Sequence, residues 1–114
     1  MKLQLLLWPV LAVLLTSAVF AQTVSSTLKG TVQDSSGAVV PNAHCKLINP
    51  ATDATLTVST AQDGSFQFLD ILAGTYSLSV SAPGFKNYEK VGIEMLSSEF
   101  HSAGNVILQV GQSS

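Results

Sequence analysis

The sequence has no arginine, a single cysteine (Cys45) and a single tryptophan (Trp8), and charged side chains make up only 11% of its 114 residues. Each scarcity excludes something. One cysteine cannot close an internal disulfide, so the fold must be held by its core alone. Without arginine and with five lysines in all, no basic patch exists to neutralise phosphates, which makes nucleic acid a poor partner. The two histidines, His44 and His101, are separated by most of the chain and lack the close ligand spacing that advertises a zinc site. Serines are plentiful, but no G-x-S-x-G elbow occurs to activate one. Asp34, Asp53, Asp63 and Asp70 fall one per loop or turn, outside the array of a calcium loop, and are expected to form turns through bonds to nearby backbone. No catalytic residue, metal ligand or cofactor is therefore expected, and the chain does not read as an enzyme.

What is present begins with a leader. Met1-Lys2 supplies a positive start, and Leu3 to Val19 is apolar apart from Gln4, Thr16 and Ser17. Val19 and Ala21 stand at the small positions read three and one residues before a signal-peptidase cut, so residues 1–21 are read as a signal peptide cleaved between Ala21 and Gln22. The rival reading is a retained anchor, since the apolar run approaches the roughly 20 residues of a spanning helix. Pro9 interrupts that run, however, and no positive cluster follows Ala21 to stop transfer. Export is the expectation, to the periplasm, the outer-membrane surface or the exterior, with no membrane association after cleavage. The mature chain, residues 22–114, loses Lys2 and Trp8 and holds four lysines against seven carboxylates. About 90 residues bury somewhat over 60% of their unfolded surface, enough for a small sandwich.

Along that mature chain, period-two alternation recurs between turn signals every 8 to 12 residues or so, the pattern of an all-β sandwich or barrel. Seven strands are expected. The first covers about Thr27 to Gln33, with Leu28, Gly30 and Val32 on one face; the second, Ala43 to Asn49, turns Ala43, Cys45 and Leu47 inward and His44, Lys46 and Ile48 outward. The third, Ala54 to Thr60, is expected to bury Leu56 and Val58, and Asp63-Gly64 then marks a hairpin turn. A short fourth strand points Phe66 and Phe68 one way, and the fifth, Thr75 to Ala82, buries Tyr76, Leu78 and Val80 against an outer row of serines. The sixth is about Tyr88 to Met95 and the seventh about Gly104 to Val110, although Gly92 breaks the sixth and "LSSEFHSA" has no clear register.

The order of motifs is more specific than any one of them. G-x-V-x-D-x-x-G at Gly30 to Gly37 leads to Pro41-x-Ala43, then to D-G-x-F at Asp63 to Phe66, G-x-Y-x-L-x-V at Gly74 to Val80 and A-P-G-F at Ala82 to Phe85. This series, from about Leu28 to Val110, resembles the carboxypeptidase regulatory-like domain. The resemblance implies a seven-stranded antiparallel Greek-key β-sandwich of the transthyretin-like kind, and a supporting role rather than an active site. Domains of this kind often follow the signal peptide of bacterial TonB-dependent receptors, so the chain is expected to be either such a module or a free-standing relative. Related carbohydrate-binding-like, starch-binding-like sandwiches share the architecture, which makes glycan binding the alternative. The G-x-Y-x-L series also looks like pilin sandwiches that form internal Lys-Asn isopeptide bonds, but Val32 and Val80 stand where the lysine and the assisting glutamate are expected. No such bond should form.

An accessory or spacer module of the cell envelope is thus the expectation, with an envelope protein or a glycan as partner. Sugar binding rests on exposed aromatic faces. With Phe66, Phe68 and Tyr76 in the inward register, only Phe85, Tyr88 and Phe100 are available. Phe85 and Tyr88 are the candidate ligand contacts, with a cap over the end of the sandwich as the competing role for Phe85.

Overall fold

A computed structural model describes residues 25–111. The expected signal peptide, residues 1–21, and its Ala21-Gln22 junction lie outside the described residues. Seven strands follow one another: β1 (Ser26–Asp34), β2 (His44–Ile48), β3 (Thr55–Ser59), β4 (Ser65–Ile71), β5 (Gly74–Ser81), β6 (Tyr88–Met95) and β7 (Phe100–Leu108). They form two sheets, β4-β1-β7 and β3-β2-β5-β6. Every pair is antiparallel except β1 with β7, which run parallel.

Alternation explains the core. Leu28 and Val32 of β1, Phe66 and Phe68 of β4, and Val106 and Leu108 of β7 meet Cys45, Leu47, Tyr76, Leu78, Val80, Ile93 and Met95 of the other sheet. At every second position the side chain crosses to the inner face, as the pleat requires. Gly30 takes its place in the inner row of β1 as a space: a Cβ built there would lie 2.5 Å from Cζ of Phe66, its direct cross-strand partner. The Phe66 ring thus occupies the volume a side chain at position 30 would need, and stands edge-on to Phe68 with ring centres 6.0 Å apart. Tyr76 is buried with its hydroxyl donating to the carbonyl of Leu72 at 2.8 Å, so the polar end of the ring is satisfied.

Three bulges adjust the sheets. The register slips opposite Thr27 on β4, opposite Ser77 on β6 and between Lys29 and Gly30 against β7, and a residue with positive φ sits at each slip: Asp70 (56°), Gly92 (72°) and Gly104 (68°). The Gly92 break is therefore a bulge within β6, which keeps its expected bounds.

Two expectations are corrected. β7 begins at Phe100, four residues before the expected Gly104 start. The turn before it is fixed by side chains: Leu96 N–H donates to Glu99 Oε2 at 2.8 Å, the Ser26 hydroxyl bonds the Leu96 carbonyl, and Glu99 N–H donates to Ser26 Oγ at 3.0 Å. Leu56, expected in the core, is 40% exposed. It stands on the inner face beside Leu47, but β3 is the outermost strand of its sheet, where cover from the other sheet runs out.

Candidate functional site

Three carboxylates, Asp34, Asp63 and Glu99, hold turns, whereas Asp70, expected in a turn, lies at the bulge within β4, where its Oδ1 accepts from the Ser25 hydroxyl at 3.4 Å. Asp34 Oδ1 accepts from Ser36 N–H at 2.9 Å and Ala38 N–H at 3.1 Å as well as from the Ser36 hydroxyl, and these bonds, the hydroxyl's first, hold its carboxyl below the usual value. Asp63 repeats the arrangement with Ser65 N–H (3.0 Å) and hydroxyl, with the same direction of shift. Glu99 is lowered by the Leu96 N–H and then by His101, whose Nδ1 lies 3.2 Å from Oε1. Cys45 is completely buried and burial pushes its thiol up to about 11, which leaves no thiolate to react near neutrality. Among the described residues no three His, Cys, Asp or Glu side chains converge as metal ligands. Val32 and Val80, in the positions that an isopeptide-forming domain would give to lysine and glutamate, are both fully buried.

The aromatic candidates separate to opposite ends. Phe85 follows the β5–β6 turn at Pro83-Gly84 and pairs its backbone with Val110, while Lys86 N–H donates to the Gln109 carbonyl at 2.8 Å. Its ring is half-buried and packs on the core, as does that of Tyr88, which lies directly across from the buried Val80. Phe100 pairs with Thr27 at the start of β1 and β7, on the order of 30 Å away along the strands. Phe85 and Tyr88 can share a surface, but Phe100 cannot join it.

Phe100 instead heads a different surface. On the outer face of the three-stranded sheet Thr27 and Phe100 pair across β1 and β7, with the exposed Leu69 at the β4 bulge opposite Thr27, and Phe100 is 79% exposed. The next row is Gln67, Lys29 and Ser102, followed by Ser65, Thr31 and Asn105. These polar rows line a groove of about 710 Å³, to which Val58, Ser59 and Ala61 add a wall. Gly30, Phe66 and Gly104 line it as well, so amides, hydroxyls and one ammonium share the groove with apolar surface, and Phe100 stands one row further along the same face, outside the lining. Sequence reasoning missed this surface because it exists only through the pairing of β1 with β7, at the other end of the chain.

The profile of the carboxypeptidase regulatory-like domain matches residues 27–113. The chain belongs to the carboxypeptidase regulatory-like domain family. That family is a non-catalytic module, and the seven-stranded, two-sheet structure fits the membership. No curated protein matches the chain significantly.

Solved structures share the architecture at low identity. Hydroxyquinol 1,2-dioxygenase from Pseudomonas putida matches with a TM-score of 0.61 at 11% identity, over 81% of this chain and 58% of that one. A chain of a mutant type II cohesin–X-dockerin complex from Acetivibrio cellulolyticus gives 0.59 at 17%, over 75% and 58%. A streptococcal ancillary pilin gives 0.59 at 13%, over 79% and 34%. The regulatory-like domain spans less than two thirds of each, and at these identities the likeness is one of fold alone.

Proposed function

We propose that this regulatory-like domain is an exported, non-catalytic accessory module of the bacterial cell envelope, serving as an interaction or spacer domain, either free-standing or at the N-terminus of a TonB-dependent receptor. The observation that carries the reading is the use of the acidic groups: Asp34, Asp63 and Glu99 spend their carboxylates on the backbone of their own turns. A module built this way works through its surface. Family membership supports the accessory role, and the apolar leader ending at Ala21 supports export.

A second reading, glycan binding, is favoured by one feature, the exposed Phe100 ring beside the polar rows of the outer face. Aromatic stacking with amides and hydroxyls to fix the sugar hydroxyls is the chemistry of such sites. A glycan array separates the readings. The accessory reading expects no specific retention. Retention lost in Phe100→Ala but kept in Phe85→Ala replaces it with glycan binding at the outer face, and retention lost on changing Phe85 or Tyr88 moves the site to the opposite end.

A further inference from the structure

The two sheets leave four outer strands, and three of them carry a feature that discourages further pairing. β6 is bulged at Gly92 and bears Glu89, Lys90 and Glu94. β7 is bulged beside Gly104, and β4 at Asp70. β3 differs. Its five residues, Thr55-Leu56-Thr57-Val58-Ser59, contain no charge, glycine or proline, keep one unbroken register with β2, and are exposed except at Val58.

The direction of its free backbone groups is fixed by the bonds just outside it. Asn49 N–H donates to the Ala54 carbonyl at 2.9 Å, and Thr60 N–H to the Ala43 carbonyl at 3.0 Å. Both pairs extend the β2–β3 register, so residues 54, 56, 58 and 60 turn their backbone groups toward β2. Thr55, Thr57 and Ser59 therefore aim their N–H and C=O groups away from β2, at an edge that no other strand among the described residues covers.

We infer that β3 pairs with β3 of a second copy of this chain, antiparallel about a two-fold axis through Thr57, joining two four-stranded sheets into one of eight. In that register Thr57 meets Thr57, and Thr55 meets Ser59 twice, each pair exchanging two backbone hydrogen bonds through the groups that are free. On the inner face, Leu56 of each copy meets Val58 of the other as close, non-hydrogen-bonded neighbours. This covers the leucine that the single sheet leaves 40% exposed. On the outer face only threonine and serine hydroxyls meet, a favourable cross-strand combination, and no like charges face each other. The strand is thus complementary to itself in backbone, in apolar face and in polar face at one register. A five-residue seam is small among protein interfaces, so the dimer is expected to depend on concentration.

Sedimentation equilibrium on protein expressed from the full sequence tests this, with the N-terminus of the purified form determined. The wild type is expected to pass from monomer to dimer as concentration rises. Thr57→Lys, an exposed change that places two ammonium groups on the axis, is expected to weaken association about tenfold or more. Thr57→Glu should do the same, and an equimolar mixture of the two variants should restore it. Circular dichroism confirms that each variant is folded. A wild type that stays monomeric at every accessible concentration overturns the inference. So does a dimer that both charge variants leave intact, which places the contact on another surface.

Discussion

Replacing Gly30 by alanine should destabilise the domain, against the usual sign for a glycine inside a strand. A strand glycine costs roughly 0.5–1 kcal/mol relative to alanine through the entropy of the unfolded chain, so the substitution would ordinarily be neutral or helpful. Here the new Cβ would lie 2.5 Å from Phe66 Cζ, 2.7 Å from Cε1 and 3.2 Å from the Gly104 carbonyl oxygen. A normal carbon contact is about 3.5–4 Å, so the ring must retreat by about 1 Å or more. Phe66 is buried and stands edge-on to the fully packed Phe68, so it has little room to do so. Overpacking of this kind costs about 1–3 kcal/mol, which leaves a net loss between about 0 and 2.5 kcal/mol after the entropic gain, in the upper half of that range because the ring has little room to move. Urea unfolding should show it as a midpoint lowered by roughly 1 M, with m unchanged. In a Phe66→Leu background, where the ring edge is gone, Gly30→Ala should become neutral or slightly stabilising. A coupling below about 0.5 kcal/mol in that cycle, or a Gly30→Ala variant as stable as the wild type, would refute the reasoning.

Three further outcomes follow from the packing and the charges. Cys45 should resist thiol reagents in the folded protein and react only at the rate of unfolding, since its thiol is buried and pushed up to about 11; prompt labelling of native protein would contradict this. Phe85→Ala should cost about 1.5–3 kcal/mol, less than the roughly 3–5 of a fully buried ring, whereas Phe100→Ala should stay within about 0.5 kcal/mol, both read by thermal unfolding. Asp34, Asp63 and Glu99 all have lowered values when folded, so their contribution is complete above the ordinary carboxylate range near pH 4 and is lost as pH falls through the folded values. The melting temperature should therefore decline only below about pH 4, and Asp34→Asn with Asp63→Asn should flatten that decline; an unchanged slope would assign acid sensitivity to other groups.

The strands were legible wherever alternation met a strong turn signal. Asp63-Gly64 and Pro83-Gly84 bound β4 and β5 closely, and the inward set of Phe66, Phe68, Tyr76, Leu78 and Val80 is the observed one. What escaped depended on non-local pairing. Leu56 alternates like a core residue, and only the strand order places it on an outer strand. The start of β7 was hidden because a bulge beside Gly104 shifts the alternation and because the Leu96–Glu99 turn is tied to Ser26, 70 residues earlier than Leu96. The Phe100 surface was hidden for the same reason. Phe85, Tyr88 and Phe100 were recognisable as the aromatics outside the inward set of Phe66, Phe68 and Tyr76, and the structure gives the first two a half-buried seat against the core.

Intact-mass analysis of the protein recovered from fractionated bacterial cells tests the central claim, that this chain is an exported envelope module, most directly. A polypeptide beginning at Gln22, with that glutamine free or cyclised to pyroglutamate, is expected in the periplasmic or outer-membrane fraction or the medium, without Trp8. A chain that retains residues 1–21 and stays in the cytoplasm would contradict it.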